Sequence, residues 1–172
     1  PPATSGHVDA GLWVWELARD YIYHSRDFNI LKEKVYWLNS DKKTEVLDHL
    51  IQLFNYYLIS DNIGEHGICK IRGGDWNDGI NKAGHEGRGE SVMVTCQAIL
   101  GLEEFANLLD YLAIHDAKKA LKVTAKRFRL GANKFRSALH KNALNSKGYF
   151  NGVFTDAGQW VFSPKDPDGK AR

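Results

Sequence analysis

The sequence predicts an all-α fold of antiparallel helical hairpins with a short β-like tail. Three observations predict it: apolar residues recur every three or four positions in five successive stretches, the connections between most stretches are short and polar, and the pattern changes only after Gly148. Residues 10–24 place Leu12, Trp15, Leu17, Ala18, Tyr21 and Ile22 at helical spacing. Residues 28–38 give a shorter helix with Ile30, Leu31, Val35 and Leu38. Residues 43–60 carry Val46, Leu47, Leu50, Ile51, Phe54 and Leu58 on one stripe, and residues 90–112 carry Val92, Val94, Ile99, Leu102, Phe105, Leu108 and Leu109. The cleanest period lies in 115–144, through Ala117, Leu121, Thr124, Phe128, Ala132, Phe135 and Leu139. In the tail, 149–154 and 159–162 read as two short strands, and Ser163 to Gly169 as turn chemistry.

Composition excludes several classes. The chain has 172 residues, one domain's worth, with 43% hydrophobic and 26% charged residues. A net charge of +2 argues for neither nucleic acid nor an anionic membrane as partner, and the Lys/Arg-rich stretch at 118–136 reads as a solvated helix face. No run of apolar residues long enough to span a membrane is expected, and no signal-peptide pattern follows Pro1. Cys69 and Cys96 cannot form a disulfide framework, which fits a reducing, cytoplasmic setting.

The long connection at 61–89 is the exception to the short loops, and long ordered loops in compact domains tend to be functional. Its glycines at 73, 74, 79, 84, 87 and 89 permit unusual backbone angles and close approach. Among them sit Asp75, Asp78 and Glu86, with an indole, an amide and an imidazole from Trp76, Asn77 and His85. A sugar pocket needs this mixture: a flat ring to stack on C–H faces, acids and amides for hydroxyls, and one acid to protonate a glycosidic oxygen. A calcium loop fits poorly, because Ile80 stands at the sixth position counted from Asp75, where an EF-hand requires glycine. No Cys-x-x-Cys or His-Glu-x-x-His spacing suggests a zinc site.

The run Gly74-Asp75-Trp76-Asn77-Asp78-Gly79-Ile80-Asn81, followed by Gly84 through Ser91, resembles the signature loop of the inverting disaccharide phosphorylases of glycoside hydrolase family 94 and their relatives, the cyclic β-1,2-glucan synthases. Weaker echoes extend the resemblance. His7 through Trp13 is similar to the family's Asp-Asp-x-Leu-Trp segment, with Ala10 where the second acid stands, and Gly148-Tyr149-Phe150 with Thr155-Asp156 is similar to a strand-like segment after the next helix. The resemblance implies that these helices form part of an (α/α)6 toroid, with residues 1–172 a segment of its catalytic domain. A chain ending at Lys170-Ala171-Arg172, directly after a turn, reads as such a segment.

By the same resemblance Asp78 is the general acid, and Trp76, Asp75, Asn77, Asp9 and Arg88 bind substrate. An acid at neutral pH requires a raised pKa, which burial or the neighbouring Asp75 could supply. The residues leave other readings open. Asp75 and Asn77 either contact sugar or cap the loop through backbone N–H groups, and Asp9 either binds sugar or N-caps the first helix. Arg88 and Glu86 either reach substrate or clamp the loop. His85 reads as a hydrogen-bonded loop residue, and Glu90 as a first-turn acid favoured by the helix dipole. The implied reaction is inverting phosphorolysis of a β-linked glucodisaccharide or oligoglucan, with inorganic phosphate as co-substrate and no organic cofactor or metal. Ala10-Gly11 and the Gln159-Trp160 region favour the β-1,2-oligoglucan branch. The alternatives are an inverting hydrolase and a glycan-binding barrel piece that associates with itself or with further barrel segments.

Overall fold

A computed structural model describes residues 6–116 and 118–165. Four α-helices run through them: α1 (Ala10–Ser25), α2 (Val46–Leu58), α3 (Val92–His115) and α4 (Leu121–Ala138). The last is extended by a π-helical turn, Leu139–Ala143. A hairpin of β1 (Lys34–Tyr36) and β2 (Lys43–Glu45) joins the first two helices, and β3 (Glu90–Ser91), β4 (Val153–Phe154) and β5 (Trp160–Val161) form a small antiparallel sheet in that order.

Each helix contributes one large aromatic to a common core. Trp15 of α1, Phe54 of α2, Phe105 of α3 and Phe128 of α4 meet with ring centroids 5.0–5.9 Å apart, mixing edge-on and stacked pairs. The central element is α3, buried on most of its circumference from Val92 to Ala113. By length and composition this 24-residue helix could cross a membrane, with a mean hydropathy of 1.3 over its most apolar 18 residues. Sequence reading expects no such run; here 56% of its most apolar window is buried against the neighbouring elements. Against it lies α4, whose contact face of Ala125, Phe128, Gly131, Ala132 and Phe135 alternates small and large residues. Arg129–Asp110 and Arg136–Glu103 bridge the pair at its exposed edge, where ion pairs contribute little.

Several sequence expectations change. The helix expected at 28–38 is a 3-10 turn (Phe28–Lys32) followed by β1, because Val35 and Tyr36 pair with Thr44 and Lys43 across a turn with Asn39 at φ 56°. The same pairing delays α2 to Val46. Leu17 and Tyr21, expected on the buried stripe of α1, point outward with Trp13 and Val14. Helix α4 starts at Leu121 rather than 115. The expected strands at 149–154 and 159–162 shrink to β4 and β5. Ala117 and the turn residues Asp166–Gly169 lie outside the described residues.

The fold puts both glycine-rich loop and helix starts at one end. Val8, just before α1, donates its N–H to the Gly74 carbonyl (2.9 Å), and Tyr57 at the end of α2 donates its hydroxyl to the Val8 carbonyl (2.7 Å). Ser91 N-caps α3 from within the same loop. At the opposite end Lys32–Asp116 and Lys118–Glu45 tie the β1–β2 hairpin to the α3–α4 corner.

Candidate active site

The backbone of the loop is set by side-chain hydrogen bonds from Asp75 and Asn77 and by glycine at position 74. Gly74 has φ +140°, where an L side chain is strained, and a Cβ there would stand 2.3 Å from the Asn81 Oδ1. Asp75 is 1% exposed, with one carboxylate oxygen accepting the Asn77 N–H (3.0 Å) and the other the Ser91 hydroxyl (2.8 Å). Ser91 in turn accepts the Val94 N–H at the start of α3 (3.1 Å). One aspartate thus fastens the loop to the N-terminus of the core helix. Asn77 accepts the Gly79 N–H (3.2 Å), closing the turn that follows. Both residues realise the capping reading.

Asp78 differs from Asp75 in every respect. It opens a 3-10 turn, Asp78–Ile80, its side chain is exposed, and it accepts one hydrogen bond, from the Asn81 amide (3.3 Å). Trp76, two residues before it, is 63% exposed. Beside this turn lies an open cleft of about 600 Å³, lined by Gly79, Ile80, Lys82, His85 and Glu86 on one wall and the Asp156 turn on the other. Asp78 and Trp76 are thus the exposed members of the motif, and the burial expected around Asp78 is absent; the cleft begins at the next residue, Gly79.

The remaining expected site residues are placed as follows. Asp9 is 2% exposed and stands before α1, but makes no capping bond; it accepts the Trp13 indole N–H instead (2.7 Å). It thereby reaches the loop's end of the molecule, through the Val8–Gly74 bond, without serving as a cap. Arg88 is engaged by the Glu65 carboxylate (3.2 Å) and the Asp156 carbonyl (3.2 Å), the clamping geometry. Glu86 is held through its backbone N–H. Glu90 is not a first-turn acid: it sits in β3 and is fully buried, taking the His66 backbone N–H (2.9 Å) and facing the His66 ring Nδ1 (2.5 Å). Burial pushes its carboxyl pKa up, against the opposing pull of those two bonds. A Cβ on Gly64 would stand within 1.8 Å of that carboxylate, so the glycine is what admits it.

Sequence reasoning assigned no role to Asp156. Its carboxylate accepts three backbone N–H groups, from Glu86 (2.7 Å), Arg88 (2.8 Å) and Gly89 (2.9 Å). Desolvation pushes its pKa up, but those bonds and the Arg88 charge outweigh it, and the net direction is down. The contribution to stability is therefore present above the ordinary carboxylate pKa and is lost as pH falls through the lowered value.

The profile of the glycosyl hydrolase 94 superfamily catalytic domain matches residues 3–171. The chain belongs to the glycosyl hydrolase 94 superfamily. Among curated relatives it is similar to cellobionic acid phosphorylase of Neurospora crassa, 29% identical over 150 residues, which covers 87% of this chain and 18% of that protein. It is likewise similar to two Paenibacillus borealis proteins, 3-O-beta-D-glucopyranosyl-beta-D-glucuronide phosphorylase (24% identical, 95% and 20% covered) and solabiose phosphorylase (27% identical, 95% and 20% covered). The chain spans 18–20% of the length of these relatives. Within this glycosyl hydrolase 94 segment, the loop from Gly74 to Ser91 gathers Asp75, Trp76, Asn77 and Asp78, with Asp9 adjacent and Arg88 turned to the clamp.

Proposed function

We propose that this chain carries the general acid of an inverting glycoside phosphorylase. Asp78 gives its proton to the glycosidic oxygen of a β-linked glucodisaccharide or oligoglucan as the bond from that oxygen to the anomeric carbon breaks. Inorganic phosphate attacks the opposite face and forms the new bond, giving an α-sugar 1-phosphate. Phosphate is already an anion, so a single protein acid suffices where a hydrolase needs a second carboxylate about 6.5–9.5 Å away to activate water. The observation that carries the reading is the contrast within the motif: Asp75 is buried with both oxygens engaged, while Asp78 is exposed beside the cleft with one weak partner. The names of the three relatives, all phosphorylases, support it.

In this reading Trp76 stacks on a sugar ring, Asn81 orients the Asp78 carboxyl, and Asp9 and Asn77 border the donor sugar. Asp75 and Arg88 hold the loop that presents them. The antiparallel helices belong to an (α/α)6 toroid. Further helices of that toroid cover the outward face of α1, where Leu17 is 73% exposed and Val14 54%. The β-1,2-oligoglucan class is the preferred substrate. The test is phosphate-dependent release of sugar 1-phosphate from a panel of β-linked glucodisaccharides and short β-1,2-glucans by the protein bearing this chain. We expect Asp78→Asn to lower kcat by roughly a hundredfold or more. Sugar release that needs no phosphate, or that survives Asp78→Asn, would overturn the reading.

A further inference from the structure

Tail and loop meet through an unbroken chain of bonds. The Asp78 carbonyl accepts the Asn81 N–H (3.4 Å), closing its turn, and the Ile80 carbonyl at the end of that turn accepts the Ala83 N–H (2.9 Å). The Ala83 carbonyl accepts the Asp156 N–H (2.8 Å). The Asp156 carboxylate then gathers the N–H groups of Glu86, Arg88 and Gly89. Residue 89 presses back on the start of the same loop: a Cβ on Gly89 would lie 2.5 Å from both the Ala83 oxygen and the Gly84 Cα. The position of Gly89 therefore fixes that of Ala83, and Ala83 fixes Ile80 in the turn that Asp78 opens. The Asp156 turn is also the far wall of the cleft beside Asp78.

We propose that Asp156 is a positioning residue for the general acid, its carboxylate locking the 83–89 loop so that the Asp78 turn is held against the cleft. The inference rests on the reading of Asp78 given above. A purely structural role is argued against by exposure. Glu86 and Arg88 lie at the surface, so water takes over their N–H groups when the carboxylate is removed; the buried Gly89 N–H alone loses its partner, and the Asp156 backbone bond to Ala83 remains. None of the three donors belongs to a helix. What is lost is the order of one loop, and a displacement of a catalytic group by about 1 Å costs up to about a hundredfold in rate.

The experiment compares wild type, Asp156→Asn and Asp156→Ala in the protein bearing this chain, by amide hydrogen exchange and by phosphorolysis kinetics. Protection of the Glu86, Arg88 and Gly89 amides is expected to fall tenfold or more in Asp156→Ala, on the order of one lost hydrogen bond each, with α3 and α4 unchanged. The kcat is expected to fall by roughly ten- to a hundredfold while KM for the sugar changes by less than about threefold. Asp156→Asn, which keeps one carbonyl acceptor, should lie between the two. Unchanged protection at the three amides, or unchanged kcat in Asp156→Ala, would overturn the proposal. So would loss of protection throughout α3 and α4 in both variants, which would make Asp156 a folding residue. Asp78→Asn is measured alongside. Full activity there contradicts the reading of Asp78, whereas an inactive Asp78→Asn beside an unimpaired Asp156→Ala contradicts this proposal alone.

Discussion

Two aspartates three residues apart receive opposite fates from their hydrogen-bond donors. Asp75 faces a backbone N–H and the Ser91 hydroxyl, and is spent on holding the loop; Asp78 is exposed, next to Gly79 at the edge of the cleft. The Ser91 hydroxyl joins Asp75 to the first turn of α3, so Ser91→Ala removes a helix cap and strips a buried carboxylate of a partner at once. A cap is typically worth about 1 kcal/mol, and a bond to a charged group about 1.5–3 kcal/mol, so Ser91→Ala should cost about 2–4 kcal/mol in denaturant unfolding. A loss below about 1 kcal/mol would mean that the loop is not fastened there. The motif that carries Asp78 was legible in the sequence because its residues are contiguous. The roles of Asp156 and Glu90 were not. Asp156 meets donors some 70 positions away, and Glu90 is buried only because Gly64 leaves room and His66 folds over it. Nothing local in the sequence encodes either contact.

At the scale of elements, the four aromatics at the helix crossing need one small residue to pack. A Cβ on Gly101 of α3 would stand 2.7 Å from the Phe54 ring and 3.2 Å from Trp15, and Phe54 is fully buried among three other rings. Gly→Ala within a helix ordinarily gains up to about 1 kcal/mol of propensity. Here overpacking, at about 1–3 kcal/mol, should prevail, so Gly101→Ala is expected to lower the stability of the protein. A stabilised variant would show that the helices part more easily than this packing implies. Amphipathic helices such as α2 were readable because their stripe is encoded every few residues. The β1–β2 hairpin was not: Ile30, Leu31, Val35 and Leu38 keep helical spacing, and only pairing with Lys43–Glu45 turns Lys34–Tyr36 into a strand. The outward side of α1 was misread for a related reason. Leu17 and Tyr21 have helical spacing but stand exposed, Tyr21 turning its hydroxyl to the Asp27 carboxylate (3.0 Å).

For the whole molecule, the antiparallel course of the helices brings the starts of α1 and α3 to one end, with the glycine-rich loop bound to both. That convergence fastens the loop to the starts of two helices, and it follows from short connections and helix order, both visible in the sequence. Of the small sheet that braces the loop from the tail, the sequence shows only the two tail strands, because their partner, β3, is two residues long. The central claim is that this assembly supports inverting phosphorolysis through Asp78. Its most direct test is proton and phosphorus NMR of the first-formed product, followed in time with a β-linked substrate and inorganic phosphate. The account predicts an α-sugar 1-phosphate from the earliest time point. A β-sugar 1-phosphate, or free reducing sugar formed at the same rate without phosphate, would contradict it.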